Sequence, residues 1–391
     1  MFAGRLASPR NETLTIGIDA RCLTVDHIRG MGNYLCGMIG ALAAEPTLRW
    51  QFFSDRPDRP FHNPLPAGQS APLAARDCPG YRFRLWEQAV LPAQARWRGI
   101  DVLHCTQNSA PLWQPVPMVV TIHDTMIWDR DDDLPPGFYR DTILPRAFAR
   151  AAALITISEQ SKRDILRLWP ALAPKLRVVP HGVERGFLDA QPAPLDEPLR
   201  AAGIREPYLL YCGGLLARKR LTWAVETFAA LAEPALQLVV LGVPATSHAA
   251  TRDAIAPELR ARVCFAPFLA QATMPRLVQN AAAMLYPTLY EGFGFPALEA
   301  QAVGTPVLMS ALGSLAELVG PGAVVLEPQD RDGWIAAAQA ALAARRHGTQ
   351  PNETARRWAR QFSWEASAAA HHAIYRQAAT AGKPPAEAAA R

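Results

Sequence analysis

Short apolar runs recur along this chain, each followed by a turn rich in glycine or polar residues and then by a longer helical pattern. Leu14-Thr15-Ile16-Gly17-Ile18-Asp19 reads as a first buried strand. It leads into Arg29-Gly30-Met31-Gly32-Asn33-Tyr34 and an apolar helix through Leu42. Further strand-like runs are Trp50 to Phe53, Val102 to His104, Met118 to Ile122 and Leu154 to Ile157. Helical patterns lie between them, for example Trp86 to Arg98 and Phe138 to Ala153. Strands alternating with helices predict a parallel sheet covered on both faces.

Val178-Val179-Pro180-His181-Gly182 ends this half. The stretch from Gln191 to Pro207 carries four prolines and no clear period, so it reads as a linker. A second set of strands then follows at Tyr208 to Cys212, Leu236 to Leu241, Val263 to Ala266, Ala282 to Tyr286 and Val307 to Met309. The closing stretches Trp334 to Arg346 and Trp358 to Ala379 are helical in pattern. The expected organisation is α/β, with two Rossmann-like, doubly wound domains facing a cleft. The first covers residues 1–190, a linker 191–206 and the second domain 207–365. A helix over 366–391 is expected to return to the first domain. Ligands bind in such a cleft.

Composition narrows the function classes. A length of 391 residues is ample for two cores, and 50% hydrophobic with 19% charged residues suits a soluble protein. The net charge is only +5, spread along the chain, so no basic block argues for nucleic acid. The six cysteines (Cys22, Cys36, Cys78, Cys105, Cys212 and Cys264) form no C-x2-C pair and read as small buried hydrophobes in a reducing compartment. The N-terminus has no signal-peptide pattern, and no apolar run is long enough to span a bilayer.

The densest chemistry lies in Tyr290-Glu291-Gly292-Phe293-Gly294-Phe295-Pro296-Ala297-Leu298-Glu299, which sets two carboxylates eight positions apart across a glycine and aromatic turn. A strand ending at Tyr286 precedes it and an Ala-rich helical stretch follows. That order aims backbone amides and a helix N-terminus at one place, which suits a phosphate or a polyhydroxyl ligand. At helical spacing Glu299 falls about two turns beyond Glu291 on the same face, and carboxylates accept hydrogen bonds from vicinal hydroxyls. Gly213-Gly214-Leu215-Leu216-Ala217-Arg218-Lys219-Arg220 opens the second half. Its glycines would admit a diphosphate to the backbone while Arg218 and Lys219 neutralise charge. Gly30 and Gly32 stand on the first strand-to-helix turn, where glycine allows close approach of a ligand. His123 and Asp124 follow a strand end. Asp124 either orients the imidazole or caps the next segment. Asp129-Arg130-Asp131-Asp132-Asp133 contains D-x-D, a metal-binding pattern, but it runs into Leu134-Pro135-Pro136-Gly137 and reads as a solvated turn.

The strings Tyr-Glu-Gly-Phe-Gly-Phe-Pro, Leu298-Glu299-Ala300 and Gly304-Thr305-Pro306-Val307 strongly resemble the E-x7-E signature of retaining glycosyltransferases of family 4, enzymes of the GT-B type. The Ile-Gly-Ile-Asp-Ala-Arg opening, the Gly-x-Gly-Asn-Tyr loop, the His-Asp pair and the Gly-x-x-x-x-Arg-Lys string resemble the family as well, from about Ile16 to Tyr375. The resemblance implies an N-terminal acceptor domain and a C-terminal nucleotide-sugar-binding domain. It places Gly30 and Gly32 at the loop facing acceptor and donor phosphates, and Gly214, Arg218 and Lys219 at the diphosphate. His123 falls beside the transferred sugar, with Glu291 and the amides of Phe293, Gly294 and Phe295 on it, and Glu299 on the ribose. Ser158 reads as a helix cap and Glu317 aligns with a family glutamate. His181 departs from the family's usual Asn before Gly and receives no role.

The expected function is therefore transfer of a hexose, with mannose or rhamnose favoured, from a nucleotide diphosphate sugar such as GDP-mannose. The acceptor would be a glycan or lipid-linked glycan in bacterial surface polysaccharide or lipopolysaccharide biosynthesis. The resemblance implies no cofactor and no metal. The expected location is the cytoplasm; Arg82, Arg84, Trp86, Arg96, Trp97 and Arg98 mix cations with aromatics and read equally as a patch in peripheral contact with the inner membrane or as core tryptophans with solvated arginines. Two alternatives share the fold, a nucleotide-sugar epimerase and a non-catalytic partner subunit.

Overall fold

The structure is a computed structural model and describes residues 13–78, 82–129, 137–348 and 351–381. The acidic side chains of the Asp129–Asp133 run lie outside them. The chain packs as two units. One comprises Met1–Ile157, Ser161–Pro180 and Trp364–Arg391, the other Ser158–Gln160 and His181–Ser363.

In the first unit β1 (Leu14–Asp19), β2 (Leu48–Ser54), β3 (Leu73–Ala75), β4 (Val102–Cys105), β5 (Met118–Thr121), β6 (Ala153–Thr156) and β7 (Leu176–Val178) form one sheet. Its order is β3-β2-β1-β4-β5-β6-β7, and every pairing is parallel. In the second unit β8 (Tyr208–Cys212), β9 (Gln237–Leu241), β10 (Val263–Phe265), β11 (Ala283–Tyr286), β12 (Val307–Met309) and β13 (Ala323–Val325) run in the order β10-β9-β8-β11-β12-β13, again all parallel. The strand order reverses between β1 and β4 in one sheet and between β8 and β11 in the other. At such a reversal the loops leaving the carboxyl ends part over opposite faces and open a crevice.

The apolar runs become these strands because both faces are covered, and β4, β5, β8, β9, β11 and β12 are almost wholly buried. Three strands are absent from the sequence reading. β3, β7 and β13 are only three residues long. Each sits near or at a sheet edge, where little apolar pattern is needed.

Two helical segments differ from the expected single helices. Trp86–Val90 and Tyr139–Ile143 are π-helical turns, closed by the amides of Leu91 and Leu144 onto the carbonyls of Trp86 and Tyr139. A Leu-Pro pair follows each turn. Pro92 and Pro145 have no amide for the carbonyls of Gln88 and Asp141, so the ladder widens there by one residue. The stretch expected as one helix from Trp358 to Ala379 is broken. Helices Glu353–Ala359 and Trp364–Ala381 flank a gap where the Val183 amide takes the Phe362 carbonyl at 2.9 Å. Residues 191–206 contain the short helix Glu197–Ala201, capped by Asp196, with Leu195, Leu199 and Ile204 buried.

Helix Trp364–Ala381 packs in the first unit against helix Gly30–Leu42. Gly37 makes this approach possible, because a Cβ there would lie 2.1 Å from Trp364 Cε2. Gly37→Ala is therefore expected to destabilise the first unit by about 1–3 kcal/mol, as overpacking does. Gly40→Ala is its control, since that Cβ would lie 3.7 Å from the nearest atom, the Pro64 carbonyl oxygen. Thermal unfolding and limited proteolysis of the last helix would check both. Equal stability of the two variants would refute the close-packing account.

Candidate functional site

β8 ends at Cys212, and Gly213 and Gly214 follow it. Gly214 has φ +76°, and a Cβ there would lie 2.8 Å from the Gly242 carbonyl oxygen. The loops after β8 and β9 thus pack backbone against backbone. The amides of Gly213 and Gly214 face the Leu241 carbonyl at 3.4 and 3.3 Å. Gly214 therefore has a packing role at this turn.

Arg218 and Lys219 lie on the single 3-10 turn Ala217–Lys219. Arg220, in the left-handed region at φ +56°, separates it from helix Leu221–Ala229. The cations precede that helix rather than open it, so its dipole does not oppose them directly. Both point at Glu291. Lys219 Nζ donates to Glu291 Oε1. Arg218 Nη1 lies 3.3 Å from Glu291 Oε2 and donates to the Tyr290 carbonyl at 2.6 Å. Thr288 Oγ1 donates to Glu291 Oε1 at 2.9 Å, and Ser314 Oγ donates to the Glu291 carbonyl at 2.6 Å. The Leu289 amide donates to the Arg218 carbonyl at 2.9 Å. The side chains of Arg218, Lys219 and Glu291 are 25%, 15% and 10% exposed, so all three keep some access to solvent. Thr288 and Ser314 hold Glu291 and had no signal in the sequence.

Gly294 turns the chain into helix Phe295–Ala302 at φ +112°, and a Cβ there would lie 2.5 Å from Leu315 Cδ2. Pro296 occupies the first turn, where its missing amide costs nothing. Phe293 and Phe295 engage His181, whose role the sequence left open. The His181 ring stacks on Phe295 at 4.9 Å with planes 1° apart and meets Phe293 edge-on, also at 4.9 Å. Glu291 lies before the helix, so the expected two helical turns between the glutamates become a loop and one turn. Glu299 keeps part of its surface accessible, yet it is deeply set. Burial, with a smaller effect from Glu184, pushes its carboxyl up to about 8. Both Glu299 and Glu291 lie near enough to the Cys212 thiol to raise it, after burial itself, which places them around the end of β8.

In the first unit Gly30 and Gly32 fall inside the first turn of helix Gly30–Leu42 rather than before it. Gly32 is a packing glycine, since its Cβ would lie 2.6 Å from Ile28 Cγ2, whereas a Cβ on Gly30 would meet nothing within 4 Å. His123 follows β5. Its amide donates to Asn108 Oδ1 at 2.6 Å, and its Nε2 lies 2.8 Å from the Thr106 carbonyl. A carbonyl only accepts, so Nε2 carries the proton. Burial lowers the imidazole to about 4, and it is neutral near pH 7. Asp124 Oδ1 accepts from the Met126 amide at 3.0 Å and so caps the next turn.

One cluster escaped the sequence reading. Arg21 Nη2 lies 2.5 Å from Asp19 Oδ2 and 2.7 Å from Glu87 Oε2. Ser109 and Tyr139 hydroxyls also donate to Glu87. Asp19 and Arg21 stood in a quoted motif, but Glu87 gave no signal. Trp86, counted in a surface patch, is fully buried under Arg21 at 5.1 Å, while Trp97 is 81% exposed. Among the described residues no helix is long and apolar enough to cross a membrane, and no group of three or more His, Cys, Asp or Glu could hold a metal ion.

Comparison with known proteins covers both units. Residues 28–186 match the family described as Glycosyltransferase Family 4, and residues 200–358 match Glycosyl transferases group 1. A D-inositol 3-phosphate glycosyltransferase of Xylanimonas cellulosilytica is 29% identical over 80% of this chain and 81% of its own. The O-antigen chain mannosyltransferase B of Escherichia coli is 26% identical over 63% of this chain and 67% of its own. Among solved structures, sucrose-phosphate synthase from Thermosynechococcus elongatus superposes with a TM-score of 0.69 at 24% identity, covering 95% of this chain and 100% of that one. With two parallel sheets and both family signatures in place, the chain belongs to glycosyltransferase family 4 and has the GT-B fold.

Proposed function

We propose that this glycosyltransferase is a retaining hexosyltransferase that uses a nucleotide diphosphate sugar, with mannose or rhamnose as the transferred residue. The observation that carries this reading is the Lys219–Glu291–Arg218 cluster at the carboxyl ends of β8 and β11. Two cations against one carboxylate leave a net positive charge beside the crevice of an all-parallel sheet. A departing diphosphate gains negative charge in the transition state, and fixed cations stabilise that charge more than the ground state. Glu291, held by Thr288 at its carboxylate and by Ser314 at its backbone carbonyl, would accept hydrogen bonds from hydroxyls of the sugar. Glu299 would accept from the ribose. His123, neutral, would contact the transferred sugar.

The chemistry balances without a protein nucleophile. The bond from the anomeric carbon to the phosphate oxygen breaks, and a bond to the acceptor oxygen forms on the same face. The acceptor's hydroxyl proton passes to the leaving phosphate. The mannosyltransferase relative supports a mannose donor and a glycan acceptor in surface polysaccharide assembly. The site map needs no metal.

Thermal stabilisation by GDP-, UDP- and ADP-sugars, with and without EDTA, tests the reading, because a ligand that binds only the folded state must stabilise it. A selective shift that survives EDTA is expected, followed by release of nucleoside diphosphate and a product of unchanged anomeric configuration. A shift lost in EDTA, or an inverted product, would overturn the metal-free or the retaining part. Glu291→Ala and Lys219→Ala are each expected to cut transfer by at least about a hundredfold in a folded protein. Near-normal turnover in either variant would count decisively against this map, as would near-normal turnover in His123→Ala for that residue.

Glu299 gives a pH signature. Its carboxyl stays protonated in the folded chain up to about 8, against 4.5 as the ordinary value. The unfolded chain therefore releases this proton first, and the folded state loses stability as pH rises from 4.5 through 8. Glu299→Gln removes that loss. It is expected to match the wild-type melting temperature near about pH 5 and to exceed it near about pH 8.5. A constant difference between the two proteins across this range would refute the raised carboxyl.

A further inference from the structure

Beneath helix Trp364–Ala381 a line of buried polar side chains has one self-consistent set of protons. His371 Nδ1 lies 2.8 Å from the Ser367 carbonyl one turn earlier. A carbonyl only accepts, so this nitrogen carries the ring proton. Complete burial keeps the imidazole neutral by lowering it to about 4. Its Nε2 is then a bare lone pair, 2.8 Å from the Tyr34 hydroxyl. Tyr34 has one proton and donates it there. The Tyr34 oxygen therefore accepts from Thr121 Oγ1 at 3.1 Å. With its own proton used, Thr121 Oγ1 accepts from His104 Nε2 at 2.8 Å. Burial holds His104 well below its ordinary value, so its Nδ1 is bare and accepts from the Tyr375 hydroxyl at 2.8 Å. Each assignment follows from the one before it.

His123 shares the middle of this line. Thr121 stands two residues before it at the end of β5. The Tyr34 ring meets the His123 imidazole edge-on, with centroids 5.3 Å apart and planes at 82°. The Tyr34 hydroxyl fixes the rotation of that ring, and its acceptor His371 comes from the far end of the sequence.

We propose that Tyr34 and His371 are positioning residues for His123, the C-terminal helix fixing the tyrosine ring against which the reaction-centre imidazole is held. The inference rests on the reading that His123 contacts the transferred sugar. Without the Tyr34 hydroxyl bond the ring keeps its packing against His104, Trp364 and His371 but loses the bond that fixes its tilt. The edge contact that holds the imidazole on the Thr106 carbonyl then loosens. Small misplacements of this kind cost rate rather than binding.

Nitrogen-15 labelling of the histidines, read by long-range proton–nitrogen correlation without substrate, tests the chain itself. The expected tautomers are Nδ1–H for His371 and Nε2–H for His104 and His123. Tyr34→Phe keeps the ring and removes the proton donor. It is expected to move the ring nitrogens of His371 and His123, and to lower kcat roughly tenfold with donor KM within about twofold. Thr121→Val should act in the same direction, and Thr121→Ser should restore most of the rate. A proton on His371 Nε2, unchanged His123 signals in Tyr34→Phe, or moved signals with wild-type kcat would each overturn the proposal. The ring signals judge the chain independently of the site reading. If His123→Ala retained full transfer, His123 would leave the reaction centre while the tautomers still reported on the line.

Discussion

A strand can lie parallel to its neighbour only after the chain has crossed back over one face of the sheet. All strands of both sheets obey this constraint. Every carboxyl end in a sheet therefore faces the same way, and so does every loop that leaves one. Where strand order reverses, at β1 and β4 and again at β8 and β11, adjacent loops diverge and cannot fill the space between them. His123 follows β5, next to the first reversal. The Lys219–Glu291–Arg218 cluster joins the two loops of the second. His123 and this cluster thus lie beside the places where the topology parts adjacent loops.

The two charge clusters are built for different ends. Arg21 with Asp19 and Glu87 is sealed, with side-chain exposures of 6%, 0% and 0%. Its carboxylates take bonds from Ser109, Tyr139 and Gln107, so the cost of removing three charges from water is offset by hydrogen bonds on several sides. Nothing further fits such a cluster, and it serves to fix the loops after β1 and β4. The Lys219–Glu291–Arg218 cluster is partly open and carries the opposite excess of charge. Its screening is incomplete, so an anion there would feel both cations strongly. One cluster is sealed and satisfied, and the other is partly open to solvent.

Central strands were legible because their apolar runs need no tertiary information. Leu14–Asp19 and Tyr208–Cys212 have the limits read from the sequence. The edge strands β3, β7 and β13 were not, whereas β10, equally short and also at an edge, was read from its apolar run Val263 to Ala266. The break before Trp364 was invisible because its cause, the Val183 amide, lies far away in sequence. At the site, Glu291, Arg218 and Lys219 were each legible as chemistry in a glycine-rich turn. Their mutual pairing was not, as it depends on β8 lying beside β11. Gly214 and Gly32 were read as ligand-facing because glycine permits close approach; the approach visible in the fold is that of the chain's own Gly242 in one case and Ile28 in the other. His181 carried no signal, because stacking between Phe295 and Phe293 is a property of the folded turn.

A polar core differs from an apolar one in that its members must agree on direction. An apolar side chain needs only volume, and a neighbour of similar shape can replace it. Two hydroxyls in series between two imidazoles have one proton each to give, so a single choice of direction fixes the tautomer on both sides. The line from Tyr375 to Ser367 has this property, and its polarity starts from a backbone carbonyl that cannot donate. Buried at low dielectric, a reversed bond would leave two donors or two lone pairs facing each other, which costs more than the bond itself contributes. Such a line ties helix Gly30–Leu42, β4, β5 and the C-terminal helix to one arrangement. A slide of the last helix by one turn would move His371 away from Tyr34 and Tyr375 away from His104 together, and would lift Trp364 off Gly37.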